Sequence, residues 1–301
     1  MAIMTRTLVL RRRFSAYTRR PKTIMLFASE VPVVSAMNPY RKIEDVFMGV
    51  WKRTNPKQIA ALSKELQLEV VTPEEKVQAI VEELGATSAI GALLEEAATA
   101  ETTMLVVETA AKLEAALPAA TPVEVKEEVV QFFASEMNKA FGAKQESPAI
   151  QHYEKQEQVA VEERNLEFFK KRVASVADNY EVFVGGKIDG RADGKVVEVK
   201  NRMKRFMNPL PKYDVAQLQT YLFILGGTEG ELVEHLRHDK AQTKLTKVPW
   251  DAAMWENEIE PYIVRFGGAL AHFMKDREAQ TQFLAADPPG QRDIIRDHWL
   301  R

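Results

Sequence analysis

Apolar and polar positions along the chain change period several times, and each change marks an element. Over 28–53, "ASEVPVVSAMNPYRKIEDVFMGVWKR" predicts a short helix, a turn at Asn38-Pro39 and a second helix from Ile43. The turn rests on proline, which drives the residue before it out of the helical region. From 55 to 140 the spacing is helical throughout, as in "SAIGALLEEAATAETTMLVVETAAKLEAAL", with few β signals. Two starts in this stretch share one chemistry, "TPEE" at 72–75 and "TPVE" at 121–124. Each offers Thr as N-cap, Pro at the first helical position and Glu at the third, the pattern of a capping box. Gly85 and Gly142 are the expected stops of the first and last helices of this stretch.

From 143 the texture changes. "QESPAIQHYEK" continues as helix through at least Tyr153. "NYEVFVGGKID" and "GKVVEVK" then alternate around a Gly/Asp-rich turn and predict a β-hairpin. "YDVAQLQTYLFILGG" is a helix ended by glycines, and "GELVEHL" with "AQTKLTKVPW" is a second strand pair. "WENEIEPYIVRFGGALAHFMKDREAQTQFL" predicts a closing amphipathic helix, bent near Gly267-Gly268. This order of helices and strands predicts an α/β core with a mixed sheet, carrying an all-helical insert.

Composition narrows the picture. The 301 residues are 46% hydrophobic and 28% charged, as in an ordinary globular protein. No apolar run approaches the roughly 20 residues that span a bilayer, so no membrane partner is expected. There is no cysteine, which removes disulfides, thiolate zinc sites, cysteine nucleophiles and iron–sulfur clusters. The net charge of −2 conceals an asymmetry. Residues 1–54 carry 11 Lys/Arg against 3 Asp/Glu, whereas 55–140 carry 6 Lys against 15 Glu. The chain therefore divides into a basic arm at 1–20, a segment at 21–54 that belongs to the core, an acidic helical insert at 55–140, and the core proper at 141–301. The arm "MAIMTRTLVLRRRFSAYTRR" is Arg-rich and acid-free. It has three readings: an organellar (mitochondrial) targeting segment, a basic arm touching phosphates, or a plain tail. The insert's acidic faces read as solvated helix surface, with a partner-docking face as the sharper alternative.

The candidate chemistry lies in the predicted hairpin. In "KVVEVKNR", residues 195–202, Glu198 and Lys200 share one strand face while Val197 and Val199 share the other. Charged side chains rarely enter an apolar strand without a partner. The turn "GRADGK" brings Asp189 beside Glu198, and two neighbouring carboxylates repel unless a divalent cation lies between them. Hard oxygen donors without His or Cys favour Mg²⁺ or Mn²⁺. Lys200 beside such an ion would orient or help deprotonate a water, or offset charge on a phosphorane-like transition state. The plain alternative is an exposed hairpin whose charges face water.

These residues, with their neighbours, resemble the PD-(D/E)XK nuclease superfamily. Asp189, Glu198 and Lys200 form its D-x(8)-E-x-K element, with Ile188 where the name expects proline. "GAKQESPAIQHYE" at 142–154 matches G-x3-E-x2-A-x3-Y-E, a pattern of the YqaJ, or lambda-type, exonucleases, and supplies Glu146. "AQLQTY" at 216–221 is similar to that branch's A-Q-x-Q element and supplies Gln217, with Tyr221 one helical turn on. "ASEV" at 28–31 followed by "NPY" resembles the family's opening segment, in which a hydroxyl and an upstream cation bind a 5′-phosphate. By position these are Ser29 with Lys22 or Arg20.

The resemblance implies a restriction-endonuclease-like core, a mixed central sheet flanked by helices. It implies a Mg²⁺-dependent 5′-to-3′ exonuclease on linear duplex DNA, serving recombination, repair or replication. Asp189, Glu198, Glu146 and the carbonyl of Val199 would hold two ions, with Lys200 and Gln217 positioning water. It also implies a trimer and a single-strand annealing protein as partner. Lys204 and Arg205, just past the E-x-K strand, would track a DNA backbone. A RecB-like single-strand exonuclease, and a non-catalytic DNA-binding or assembly module, are the rival readings. His235 and His238 in "HLRH" read as surface, His152 as helix packing, and Trp250 and Trp255 as core.

Overall fold

The structure is a computed structural model and describes residues 21–68, 73–237 and 240–299. The predicted basic arm with Arg20, the N-cap Thr72 and His238 lie outside the described residues.

Two small mixed sheets form the frame. The first is three-stranded, in the order β1 (Lys22–Phe27), β3 (Tyr180–Gly186), β2 (Phe169–Val176). β1 runs parallel to β3, and β2 antiparallel to it. The second is four-stranded, in the order β4 (Gly190–Ala192), β5 (Lys195–Arg202), β6 (Glu229–Arg237), β7 (Ala241–Pro249). Only β5 and β6 are parallel there.

The helices follow in chain order. α1 (Val31–Val34) and α2 (Ile43–Thr54) bracket the Asn-Pro turn, as the sequence predicts. α3 (Pro56–Leu66), α4 (Pro73–Glu83), α5 (Thr87–Thr99) and α6 (Thr103–Ala111) lead into α7, a 35-residue helix over Val123–Glu157. α8 (Lys212–Leu225) ends at Gly226, whose φ of 68° is the left-handed cap that glycine takes without strain. A short turn α9 (Ala252–Met254) and a π-turn open α10 (Glu260–Phe273), followed by α11 (Arg277–Ala285) and α12 (Pro288–Trp299). No helix of the described residues is long and apolar enough to cross a membrane.

α7 joins two otherwise separate cores. Its first half presents Val129, Phe133, Met137 and Phe141 to α4, α5 and α6, closing the apolar cluster of the insert. Its second half presents Ala149, Ile150 and Tyr153 to Val197 and Val199 of β5 and Val233 of β6. The opposite face of the four-stranded sheet is covered by α8 through Leu218 and Leu222 against Val196 and Leu232. The largest cluster surrounds the first sheet, where Phe47, Trp51, Phe266, Phe273 and Phe283 meet Ile24, Leu26, Val182 and Val184.

Several expectations are corrected. Gly142 does not stop a helix, because α7 runs straight through it. Its carbonyl instead accepts from Asn201 Nδ2 at 2.7 Å, tying α7 to β5. The capping box at 121–124 does not form: Pro122 holds the N-cap position without a side-chain bond, and Thr121 Oγ1 is buried without a partner. The closing helix does not run on past Phe273. It breaks there, and Asp276 caps the next helix by accepting from Ala279 N. Gly267 and Gly268 both lie inside α10, and Gly267 marks close helix–sheet contact.

The predicted hairpin is also different. β3 pairs with β1 and β2, and the strand opposite β5 is the three-residue β4. Between β3 and β4 the chain satisfies its backbone outside any ladder. Lys187 O accepts from Tyr221 Oη at 2.7 Å, and Ile188 O accepts from Asn165 N at 3.0 Å. β1 and β2 are absent from the sequence reading. β2 carries Lys170, Lys171 and Arg172 and is largely exposed, so its strand character comes from pairing with β3 rather than from its own alternation.

Candidate active site

Glu198 lies mid-way along β5 and is 2% exposed. Its Oε1 accepts from Lys200 Nζ and from Gln217 Nε2, each at 2.8 Å, and Gln217 Oε1 accepts from Lys200 Nζ at 2.9 Å. α8 brings Gln217 here because its apolar face is seated on the sheet. The second oxygen, Oε2, is buried without a hydrogen-bond partner. A buried carboxylate oxygen left unpaired carries a desolvation cost, and such atoms in folded proteins call for an explanation.

Asp189 sits in the link between β3 and β4, where its Oδ2 accepts from Val199 N at 2.8 Å. Val199 lies beyond the last β4–β5 pair, so this bond replaces a ladder bond. It also turns the Val199 carbonyl toward the same edge, since N–H and C=O of one strand residue point the same way. Burial, reinforced by the charge of Glu198, holds the Asp189 carboxyl well above the usual carboxylate range. Glu146, on the second half of α7, is half-buried and accepts from Asn165 Nδ2. Burial raises its pKa, and Glu198 adds to the rise, while Asn165 and Arg164 oppose it.

Burial pulls the Lys200 ammonium down, but Glu198 and Asp214 more than reverse this, and its pKa stands above the ordinary lysine value. Lys200 is therefore held here as a charged donor between two carboxylates.

The structure thus gathers Asp189, Glu198, Lys200, Gln217 and the Val199 carbonyl edge, with Glu146 reaching the same region from α7. Among the described residues no three acidic or histidine side chains are already closed into a metal-ligand cluster. Glu146 is drawn toward Asn165, and one oxygen of Glu198 toward Lys200 and Gln217. The donor set nevertheless fits a hard divalent cation: carboxylates desolvated and mutually repelling, one with an orphaned oxygen, beside the stretch of β5 past its last pair with β4.

The proposed phosphate pair is not brought together. Lys22 opens β1, donates to Tyr180 Oη at 3.4 Å and lies over that ring. Ser29 follows the other end of the strand, and five steps of strand separate Lys22 from Phe27 by roughly 17 Å. Ser29 is exposed and is not an N-cap; that position belongs to Glu30. The cation near Ser29 is Arg41, whose Nη1 donates to the Ser29 carbonyl at 3.1 Å. Tyr221 is occupied as a structural donor to Lys187 O, beside Gly186, where an added Cβ would meet its hydroxyl at 2.9 Å. Lys204 is exposed.

His235 is not a surface residue. It is 1% exposed, its ring lies 6.2 Å from that of His152, and burial pushes its pKa down to about 4. Trp255 is buried and stacks on Phe223, and Trp250 packs beside it.

Sequence reasoning missed the ions behind the site. Arg202 Nη2 pairs with Asp214 Oδ2 at 2.8 Å, and Arg202 Nε with Glu234 Oε1 at 2.7 Å. The signals were present: Arg202 extends the 198, 200 alternation, Asp214 precedes Gln217 by three on its helix, and Glu234 interrupts an apolar strand face. A hollow of about 810 Å³ in the insert, floored by Phe132, Phe133 and Leu94, shares no residue with the carboxylates. The electrostatics, not the size of a cavity, locate the site.

No family model and no curated protein sequence matches the chain. Solved structures similar at low levels include the following three. LHK-Exo in complex with dAMP gives a TM-score of 0.35 at 16% identity, over 64% of this chain and 94% of that one. The alkaline exonuclease LHK-Exo from Laribacter hongkongensis gives 0.31 at 14%, over 63% and 87%. The protein SSO0001 gives 0.33 at 17%, over 62% and 85%. TM-scores this low leave the functional reading to the site's own geometry.

Proposed function

We propose that this chain is a divalent-metal-dependent DNA exonuclease of the PD-(D/E)XK type, acting 5′-to-3′ on linear duplex DNA. The observation that carries the reading is the buried, partnerless Oε2 of Glu198 beside a desolvated Asp189 and a charged Lys200. Asp189, Glu198, the Val199 carbonyl and Glu146 would hold Mg²⁺ or Mn²⁺. When bound, the ion supplies positive charge for the scissile phosphate and lowers the pKa of a water. Lys200 places an ammonium where negative charge grows on the phosphoryl oxygens. Gln217, fixed to both Glu198 and Lys200, offers amide groups that orient a water within the same pocket. Ser29 with Arg41 is the better candidate for an end-phosphate contact than Ser29 with Lys22, on the geometry of β1.

The test is Mg²⁺-dependent release of nucleotides from end-labelled linear duplex DNA. Glu198→Ala and Lys200→Ala should each lower the rate by at least roughly 10²-fold while the thermal transition persists. Variants that digest DNA as the parent does would overturn the assignment. Running phosphorylated and blocked 5′ ends, and single-stranded DNA, in the same assay separates the duplex enzyme from a single-strand exonuclease. DNA binding without metal-dependent cleavage would favour the non-catalytic reading.

A further inference from the structure

Lys200 has a second anion within ion-pair distance, besides Glu198. Asp214, at the first turn of α8 and 3% exposed, places Oδ1 3.7 Å from Lys200 Nζ. Its other oxygen takes the Arg202 guanidinium at 2.8 Å, and Arg202 in turn takes Glu234 at 2.7 Å. Glu234, fully buried, faces Lys244 at 3.3 Å. Glu234 Oε1 also accepts Met207 N at 2.9 Å, while Lys244 Nζ donates to Met207 O at 2.6 Å. Charges thus alternate without a break from Glu198 through Lys200, Asp214, Arg202 and Glu234 to Lys244, crossing β5, α8, β6 and β7.

Buried charges arranged this way are costly to assemble, and replacing them with apolar residues is often neutral or better for stability. A line of six, enclosed at every member but the partly exposed Lys244, therefore asks for a reason other than stability. The geometry points to Asp214 as a positioning residue for Lys200, an inference that rests on the nuclease reading above. Glu198 is the closest partner of the ammonium, yet Glu198 is also a carboxylate assigned to the ion. Once Glu198 turns to that duty, Asp214 is the remaining anion that keeps Nζ in the site and prevents it from following Glu198. Arg202 and Glu234 fix Asp214 by a guanidinium fork with one nitrogen on each carboxylate, which a lysine there would not reproduce. Asp214 touches no reacting atom itself.

The experiment compares the parent, Asp214→Asn, Asp214→Glu and Arg202→Lys in steady-state digestion of linear duplex DNA, with melting curves for each. Asp214→Asn should lower kcat by on the order of 10–100-fold, the range seen when groups behind a catalytic first layer are removed. KM for DNA should stay within twofold of the parent. Asp214→Glu keeps the charge and should recover part of the loss. Arg202→Lys should show an intermediate fall in kcat, and it carries the test if Asp214→Asn fails to melt cooperatively. An unchanged kcat in a folded Asp214→Asn protein overturns the inference, as does a loss confined to KM or one shared equally by Asp214→Glu. A parent that cleaves DNA while Asp214→Asn matches it sinks this inference alone. A parent that cleaves nothing sinks the nuclease reading, and this one with it.

Discussion

His235 shows how far a side chain's chemistry depends on what packs around it. On β6 it is enclosed by His152 from α7 and Thr243 from β7, with Arg237 two residues on along its own strand. Thr243 Oγ1 lies 2.7 Å from His152 Nδ1 and 3.4 Å from His235 Nδ1, so one hydroxyl serves both rings. Burial is the main force lowering its pKa to about 4, from an ordinary value near 6.5, with His152 and Arg237 adding to the shift. A depressed basic group contributes stability that is complete above its unfolded pKa and is lost as pH falls toward the folded one. The protein is therefore expected to lose about 2–3 kcal/mol from this residue between pH 6.5 and pH 4. His235→Gln should flatten that part of the acid limb in denaturant titrations. An equally steep limb in the variant would show that other groups control it.

Gly267 and Gly268 are adjacent in sequence and opposite in consequence. Both are interior to α10, where glycine costs roughly 0.5–1 kcal/mol against alanine. A Cβ on Gly267 would stand 2.4 Å from Val182 Cγ2 of β3, whereas one on Gly268 meets nothing within 4 Å. Gly267→Ala is expected to destabilise by about 1–3 kcal/mol as α10 is pushed off the first sheet. Gly268→Ala should stabilise by up to about 1 kcal/mol. Melting temperatures moving in opposite directions check both, and movement in the same direction would refute the packing account. α7 makes a related point. Pro148 removes one interior bond, to the Lys144 carbonyl, yet the helix continues because both of its halves are packed. Lys144 further ties it to α5 by donating to the carbonyls of Thr99 and Ala100.

At the scale of the molecule, the site is a junction. Asp189 comes from the link between the two sheets, Glu198 and Lys200 from β5, Gln217 and Asp214 from α8, and Glu146 from the helix that also organises the insert. Carboxylates held together out of water raise the free energy of the metal-free fold, and an ion that binds only the folded state stabilises it by mass action. Mg²⁺ at about 100 times its dissociation constant should add roughly 2.7 kcal/mol. At 301 residues this is expected to raise the melting midpoint by several degrees, and by much less in Glu198→Ala. Equal shifts in both proteins would place the ion elsewhere.

Much of the local structure was legible before any coordinates. α8 with its glycine stop, the β6–β7 pair, the turn at Asn38-Pro39 and the all-helical stretch each follow from periodicity and turn chemistry. Glu198 and Lys200 were legible as two charges on one face of an apolar strand and Asp189 through the turn before it, whereas Gln217 was marked only by the resemblance to the nuclease superfamily. What the sequence could not carry was anything set by a distant partner. β2 is a strand because β3 is beside it, and Gly142 stays helical because two cores hold α7 from either side. Lys22 and Ser29 stand apart because β1 is a strand where the sequence showed no element. His235 is buried because α7 and β7 close over it. Period and propensity are local and are written into neighbouring residues. Burial, pairing and the alternating charges behind Lys200 arise from residues far apart in the chain, and only the folded arrangement decides them.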